Sequence, residues 1–175
     1  MPDSSSPGHP GLFFCSVSYT HLLHSRYQFT EIVEDTLLLI RLKLAQSKIH
    51  VFFESPTQSI VIEGHKGQLQ QVLLNLLINS LQAMPEGGDI TLTLGSETRG
   101  PAVYAVLDVE DTGSGIPDAV RERIFDSFLT GRPDGTGLGL AIAKRVLLGH
   151  NGDIVLVRSS TAGTTLRVSV PTARS

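Results

Sequence analysis

Residues 70–84 read QQVLLNLLINSLQAM and predict the central helix of the fold. Leucine and valine recur around the two asparagines at helical spacing, so a long helix is expected from Gln68 to Met84, ended by Pro85-Glu-Gly-Gly88. Side chains four residues apart lie on the same face of a helix. Asn75 and Asn79 are therefore predicted to share one wall of a site.

Paired amides on one helix face suit a magnesium site. Mg²⁺ prefers oxygen ligands, keeps several waters and usually takes one or two protein oxygens together with phosphates. A single asparagine carbonyl is enough for that. For one isolated asparagine, a structural role in capping a neighbouring strand or loop is the better interpretation. Two at this spacing, followed by two glycine-rich loops, favour a metal-nucleotide site.

The first glycine-rich loop is Asp111-Thr-Gly-Ser-Gly115. Asp111 follows an apolar strand, so its carboxylate would lie at the end of that strand. There it can accept a hydrogen bond from the amino group of adenine. Gly113 and Gly115 lack a Cβ and let a ring or a phosphate approach the main chain. The alternative is an ordinary Asp-Thr-Gly turn. Asp108 and Glu110 suit the site less. Side chains alternate along a strand, so Asp108 is expected on the face opposite to Asp111, and Glu110 is expected to be solvated.

The second glycine-rich loop is Gly135-Thr-Gly-Leu-Gly-Leu140. It places amide donors at a predicted helix N-terminus, where phosphate oxygens are favoured. Neither a Walker A motif nor a GxGxxG dinucleotide motif matches it. Arg132 is either a phosphate ligand or a solvated surface arginine. Phe125 and Phe128 either flank the nucleotide or anchor the loop, and Phe125 better suits the core.

The first half of the chain predicts a helix and two strands before the central helix. Phe29–Gln46 is helical, with acidic residues early and basic ones late, as the helix dipole favours. The β-branched runs Ile49–Glu54 and Ser59–Glu63 flank Ser-Pro-Thr-Gln and are expected to form a hairpin.

The second half predicts two antiparallel strand pairs around two helices. The expected elements are strands at Ile90–Leu94 and Ala102–Val109, a helical turn from Pro117, a helix from Gly135 to about Leu148, and a hairpin of Ile154–Arg158 and Thr164–Val170. The order α-β-β-α-β-β-α-loop-α-β-β predicts an α/β (α+β) two-layer sandwich with helices on one face of a mixed, mostly antiparallel sheet.

Composition bounds the class of protein. The 175 residues, 41% of them hydrophobic, suit one domain, and 14 basic against 17 acidic residues give no sign of a nucleic-acid partner. The single cysteine, Cys15, fits a reducing cytoplasmic setting. No apolar stretch approaches the ~20 residues of a membrane span.

The N-terminal segment stands apart from the rest. Residues 1–11 are rich in Pro, Gly and Ser, and residues 17–21 resemble the translated end of a sequencing adapter, which suggests that residues up to about 24 are not native. We therefore divide the chain into a disordered or non-native segment at 1–27, a domain at 28–172 and a tail at 173–175.

Together these motifs resemble the catalytic, ATP-binding domain of a sensor histidine kinase, of the GHKL superfamily with the Bergerat fold, over about Phe29 to Pro171. The matching segments are an N box at 71–79, a first glycine box at 111–117, an F box at 123–130, a second glycine box at 135–140 and the closing Gly163-Thr-Thr-Leu166.

The resemblance implies roles for particular residues and a mechanism. Asn79 would be the Mg²⁺ ligand with Asn75 supporting it, Asp111 would bind adenine, Thr165 would lie near the base, and Thr130 to Leu140 would form a short, mobile lid. The residues implied to contact ATP are Asn79, Asp111, Gly113, Gly115, Ile116, Phe128, Thr130, Arg132, Gly135, Thr136, Gly137, Leu138, Gly139, Leu140 and Thr165.

One position separates branches of the superfamily. The related hydrolases, gyrase B, MutL and the heat-shock chaperones, carry a glutamate where Asn75 stands, and an amide cannot act as that base. Transfer of the γ-phosphate to a histidine on a separate segment is therefore expected. Alternatives are an anti-sigma-factor-type serine kinase, a gyrase-like ATPase and an inactive ATP-binding interaction module.

The sequence also departs from the family pattern. His65 stands where Asp is usual, Gly131-Arg132 where Thr-Lys is usual, and Ser80 where Ala is common. No histidine carries the Glu-x-x-x-Pro pattern of a phosphoacceptor helix, and structural roles are expected for His50 and His150.

The implied partners are therefore a phosphoacceptor hairpin, through which the protein would dimerise and which is missing here, and a response regulator. No membrane contact is expected from this segment. The location would be cytoplasmic, whether or not the parent protein is membrane-anchored.

Overall fold

A computed structural model describes residues 25–127 and 137–173. The elements in chain order are β1 Ser25–Gln28, α1 Phe29–Gln46, β2 Ile49–Glu54, β3 Val61–Gly64, α2 Lys66–Ala83, β4 Gly88–Arg99, β5 Ala102–Asp111, a 3₁₀ helix at Asp118–Arg123, α3 Gly139–Gly149, β6 Asp153–Ser160 and β7 Gly163–Pro171.

Five of the described strands form the main sheet, in the order β2-β4-β5-β7-β6. β2 and β4 are parallel, and the other neighbours are antiparallel. The predicted pairing of β4 with β5 and the predicted β6–β7 hairpin are both confirmed. So is the fold class, a mixed and mostly antiparallel sheet with helices.

Alternation along the strands separates an inner from an outer face of the sheet. Ile90, Leu92 and Leu94 of β4 are buried, and the residues opposite them on β5 are Asp111, Val109 and Leu107, which are also buried. Strand neighbours that pair directly point to the same face. Asp111 therefore lies on the inner face, which packs against the helices.

The central helix α2 lies between α1 and α3 and contacts both. Its buried side chains are Leu69, Val72, Leu73, Leu76, Leu77, Ser80, Leu81 and Ala83. Full burial of one such leucine stabilises the fold by about 1.5–3 kcal/mol. Asn75 and Asn79 are half-buried at the margin of this apolar face, as their spacing predicted.

The predicted hairpin between β2 and β3 is wrong. β3 pairs antiparallel with β1 in a separate two-stranded sheet, and β2 instead pairs with β4. Parallel strands need a long crossover connection, and here that connection contains β3 and α2. The local turn signal at Ser-Pro-Thr-Gln marked a change of direction but carried no information about either partner strand.

Two further boundaries differ from the prediction. Ser25–Gln28 is a strand, so the division at residue 27 cuts through an element that pairs with β3. The helical turn expected at Pro117 is a 3₁₀ helix that begins at Asp118, with Pro117 as its N-cap. Among the described helices, none is both long enough and apolar enough to cross a membrane.

Candidate functional site

The paired amides lie where α2 meets the start of α3. The side-chain Nδ2 of Asn75 donates a hydrogen bond to the backbone oxygen of Gly139, at 3.1 Å. Gly139 is the first residue of α3, so this bond holds the end of the second glycine box against α2. Within residues 25–127 and 137–173 the Asn79 side chain forms no hydrogen bond, and its carbonyl oxygen is available to a ligand.

Asp111 ends β5 and is almost completely buried, with 4% of its surface exposed. Its Oδ1 accepts hydrogen bonds from the backbone N–H groups of Gly113, at 2.9 Å, and Thr164, at 3.3 Å. Its Oδ2 accepts one from the Ser80 hydroxyl, at 3.1 Å. A buried carboxylate is tolerated only when such donors replace water.

The glycines around Asp111 are required by close backbone approach. A Cβ on Gly163, whose φ is +136°, would lie 1.9 Å from the backbone oxygen of Asp111. A Cβ on Gly115, whose φ is +76°, would lie 2.0 Å from the backbone oxygen of Ser160. The Asp111 loop and the β6–β7 turn are therefore packed main chain to main chain, which side chains would prevent.

Ile116, at the end of this loop, is held by two further bonds. Its N–H donates to the Ser159 hydroxyl, at 2.7 Å, and its oxygen accepts from Arg121 Nε, at 3.0 Å. The first fixes the loop to β6, and the second fixes it to the 3₁₀ helix. Neither Ser159 nor Arg121 was predicted from the sequence, because both contacts depend on tertiary packing.

The two threonines that follow Gly163 differ in position. Thr164 is the β7 partner of Asp111, and Thr165 is the partner of Glu110. Directly paired residues share a face of the sheet, so Thr164 lies on the side of Asp111 and Thr165 on the outer side. The register thus places Thr164 beside the carboxylate, whereas the threonine expected near the adenine, Thr165, is its neighbour on the other side of the strand.

Asp108 and Glu110, the two acidic residues that the sequence analysis did not assign to the site, lie on the outer face of the sheet. Asp108 forms a two-bond ion pair with Arg167, both bonds at 2.7 Å, and Glu110 pairs with Arg158. The hydrogen bonds that Arg167 donates to Asp108 are the main cause that raises the pKa of Arg167. On α2, the hydrogen bond that Lys66 donates to Asp35 raises the pKa of Lys66 and links the helix to α1.

The second glycine box is described only in part. Gly137 has a φ of +65°, and the oxygen of Leu138 accepts the first helical bond, from Ile142. Gly139 and Leu140 open α3, which therefore begins later than the predicted start at Gly135. The other predicted contacts in this region, Phe128, Thr130, Arg132, Gly135 and Thr136, lie outside the described residues.

Phe125, in the F box, packs against the hydrophobic core as expected, and the Lys144 ammonium of α3 lies 5.3 Å from its ring centre. His150 also has the predicted structural role. Its Nε2 accepts a hydrogen bond from the His65 N–H, at 3.1 Å, so Nδ1 carries the proton and donates to the Val146 oxygen, at 2.8 Å.

Helix α2 joins the two halves of the site. Asn75 contacts the start of α3, Asn79 follows one turn later, and Ser80 contacts Asp111. At 1.5 Å per residue the five-residue step from Asn75 to Ser80 spans about 7.5 Å along the helix. Asn75, Asn79 and Ser80, the α2 residue that bonds Asp111, are thus held at fixed spacings along one helix.

This sandwich and the cluster along α2 define an α/β domain of the nucleotide-binding class. Residues 64–174 match the family described as histidine kinase-, DNA gyrase B- and HSP90-like ATPase. The chain belongs to that family, whose domains bind ATP.

Several of the curated proteins that this chain resembles are named as histidine kinases or sensor proteins. It is 32% identical, over 151 residues, to the signal transduction histidine-protein kinase AtoS of Escherichia coli (strain K12), covering 85% of this chain and 24% of that protein. It is 36% identical, over 143 residues, to the C4-dicarboxylate transport sensor protein DctB of Rhizobium meliloti (strain 1021), covering 82% of this chain and 22% of that one. The chain therefore spans about a quarter of the length of these curated relatives.

Among solved structures, the mycobacterial sensor histidine kinase MprB aligns with a TM-score of 0.73 and 27% identity, over 87% of this chain and 100% of that one. The histidine kinase ThkA in complex with the response regulator protein TrrA aligns with a TM-score of 0.70 and 25% identity, over 85% of this chain and 42% of that one.

Proposed function

We propose that this chain is the Mg·ATP-binding catalytic domain of a two-component sensor histidine kinase. It would deliver the γ-phosphoryl group of ATP to a histidine on a separate phosphoacceptor hairpin, which would then pass it to a response regulator. The named sensor kinases among the relatives support this function, and the complex of ThkA with a response regulator supports the second partner. Such a relay would operate in the cytoplasm, where ATP is available.

Each part of the proposed site has a separate role. Asn79 would hold Mg²⁺ through its carbonyl oxygen, and the bound ion would neutralise charge on the phosphates. Among the described residues, no group of three or more His, Cys, Asp or Glu side chains is arranged to hold a metal ion. The proposed ligands of Mg²⁺ are the amide oxygen of Asn79 and the ATP phosphates. Asp111 would accept the adenine amino group, with Gly113, Gly115 and Ile116 forming the wall beside the base.

The phosphates would bind at the start of α3. Gly137, Leu138, Gly139 and Leu140 supply backbone amides at a helix N-terminus, where partial positive charge favours anions. Thr130, Arg132, Gly135 and Thr136 are proposed to complete the lid over them, and Phe128 to border the nucleotide. Thr164 is proposed beside the base in addition to Thr165, because Thr164 is the strand partner of Asp111.

The hydrogen bond of Asn75 is the observation that favours phosphoryl transfer over ATP hydrolysis. The Asn75 Nδ2 donates to the Gly139 oxygen. The related hydrolases carry a glutamate at this position, whereas here it is occupied by an amide that acts as a hydrogen-bond donor. A carboxamide is not basic near neutral pH and therefore cannot remove a proton from water as a glutamate carboxylate can. Catalysis would then rest on positioning the γ-phosphate and neutralising its charge while an external histidine attacks.

The test is a transfer assay with the full chain, γ-labelled ATP, Mg²⁺ and the isolated phosphoacceptor hairpin of a close relative such as AtoS. We expect acid-labile, base-stable phosphohistidine on the hairpin and none on a hairpin whose histidine is replaced by glutamine. Phosphoserine on a protein partner would instead indicate the anti-sigma-type kinase, and steady phosphate release without an acceptor would indicate a gyrase-like ATPase.

A further outcome separates an enzyme from an interaction module. Tight ATP binding without transfer to any of several hairpins would contradict kinase activity and favour the module. Asn79→Ala serves as the matched control, because loss of the metal ligand should remove transfer while the fold is kept.

A further inference from the structure

We propose that Ser80 is a positioning residue that orients the base-recognising carboxylate of Asp111 and thereby sets the preference for adenine. This inference rests on the proposed function, since it assigns to Asp111 the contact with the adenine amino group. It adds a residue that the sequence marked only as a departure from the alanine common in the family.

The contact is buried on both sides. Ser80 is 2% exposed and Asp111 is 4% exposed, and the hydroxyl donates to Oδ2 over 3.1 Å. Residues beside Ser80 on the buried face of α2, such as Leu77 and Leu81, are apolar. A hydroxyl in such surroundings is costly unless it forms a hydrogen bond, and here that bond goes to the carboxylate.

Gly113, Thr164 and Ser80 each donate to the carboxylate. The N–H groups of Gly113 and Thr164 bind Oδ1, whereas Ser80 binds Oδ2. Two donors on one oxygen leave the group able to pivot about that oxygen, and a donor on the other oxygen fixes the plane of the carboxylate. Preorganised acceptors discriminate between ligands better than mobile ones, because no ordering is required on binding.

Ser80 also directly follows Asn79, the proposed metal ligand. The same turn of α2 therefore presents an oxygen to the metal and a hydroxyl to the carboxylate. Any rotation of α2 about its axis would disturb both ends of the nucleotide at once. The hydrogen bond from Ser80 to Asp111 on β5 opposes that rotation and keeps the proposed metal ligand aligned with the proposed base-binding carboxylate.

The experiment compares ATP with purine riboside triphosphate, which lacks the 6-amino group, by calorimetric titration of the full chain in Mg²⁺. The parent should prefer ATP. In Ser80→Ala we expect this preference to fall by about tenfold, the usual contribution of one hydrogen bond to a charged group, while the Kd of the analogue stays within about twofold of the parent. Ser80→Thr keeps a hydroxyl and should restore the preference.

Thr36→Val is the matched control. Thr36 is another buried hydroxyl, on α1, and it donates to the Ile32 oxygen of its own helix, at 2.6 Å. Its removal should change thermal stability but leave the nucleotide preference at the parent value. Should Ser80→Ala fail to fold, Ser80→Cys, which nearly preserves volume and is a weak donor, replaces it in the same comparison.

The outcomes separate this inference from the proposed function. Retained preference in Ser80→Ala, or equal weakening of both nucleotides, would overturn the role of Ser80 while leaving ATP binding intact. A parent chain that binds both nucleotides equally, or neither, would contradict base recognition by Asp111 itself and with it the role of Ser80.

Discussion

At the scale of single residues, Asp111 combines burial with an unusually complete set of donors. Gly113, Thr164 and Ser80 all direct hydrogen atoms toward its carboxylate. An asparagine can keep its oxygen at the Oδ1 position and let the Ser80 hydroxyl rotate to accept from the new NH₂ group. Asp111→Asn should therefore affect the stability of the fold less than it affects the recognition of adenine.

We accordingly expect Asp111→Asn to remain folded but to bind ATP about tenfold or more weakly, because an NH₂ group would then face the donor group of adenine. Calorimetric titration measures the affinity, and thermal melting checks the fold. An affinity equal to that of the parent would refute the assignment of the base to this residue.

Asn79 is the matching residue at the metal end. Asn79→Ala removes the oxygen offered to Mg²⁺, so ATP affinity should become insensitive to the metal and fall by at least about tenfold in saturating Mg²⁺. Asn79→Asp, which keeps an oxygen ligand, should retain metal dependence. Titrations with and without EDTA provide the comparison, and full Mg²⁺ dependence in Asn79→Ala would exclude Asn79 as the ligand.

Residue chemistry was predictable from the sequence where it depended on local spacing. Asn75 and Asn79 share a helix face because four residues make about one turn, and Asp111 ends a strand because glycines follow it. Ser80 and Thr164 were missed as partners of Asp111. Their contacts arise from the packing of α2 on β5 and from the register of β7, neither of which a local pattern encodes.

At the scale of elements, the main-chain packing of β7 against the Asp111 loop should dominate the effect of glycine substitutions. Gly163→Ala forces a Cβ to within 1.9 Å of the Asp111 oxygen at a φ of +136°, whereas a Cβ on Gly95 of β4 meets nothing within 4 Å. The first change should destabilise the domain by about 3 kcal/mol or more, and Gly95→Ala by no more than about 0.5 kcal/mol.

Urea denaturation of the two glycine variants measures this difference directly. Equal stabilities of Gly163→Ala and Gly95→Ala would mean that the β6–β7 turn does not approach the Asp111 loop as closely as described.

His150 links three elements through its two ring nitrogens, which bond β3–α2 at His65 and α3 at Val146. His150→Phe keeps an aromatic ring but leaves the partly buried His65 N–H without this acceptor, so we expect a loss of about 1–3 kcal/mol in unfolding free energy. His50→Phe is the control, because the His50 side chain is 77% exposed and paired only at the surface with Asp89.

Denaturant titration of both histidine variants decides the point. If His150→Phe were as stable as His50→Phe, the hydrogen bonds at His150 would contribute nothing to the fold.

The helices were located well from the sequence, but the length of β4 and some strand partners were not. Periodicity located α1, α2 and α3 within a few residues, and β4 and β5 were recognised as neighbours because a short turn joins them. The β2–β3 hairpin failed because β2 pairs across a crossover and β3 pairs with β1, a strand of four residues without a clear pattern. The pairing of strands that are far apart in sequence depends on the burial of whole faces of the sheet, which a local pattern does not encode.

At the scale of the whole molecule, α2 carries both Asn79, the proposed metal ligand, and Ser80, which bonds the Asp111 carboxylate. We propose that the second glycine box, at the start of α3, admits the phosphates and that the first glycine box, beside Asp111, admits the purine. The family match covers residues 64–174, so α2, β5, α3 and β7 all fall within the shared domain. The phosphoacceptor hairpin and the response regulator are proposed partners that complete the relay.

A crystal structure of the chain with a non-hydrolysable ATP analogue and Mn²⁺ in place of Mg²⁺, located by its anomalous scattering, tests this arrangement most directly. We predict the metal at about 2.1–2.2 Å from Asn79 Oδ1 and the adenine amino group at about 3 Å from the Asp111 carboxylate. A nucleotide bound elsewhere, or a metal without Asn79 among its ligands, would contradict it.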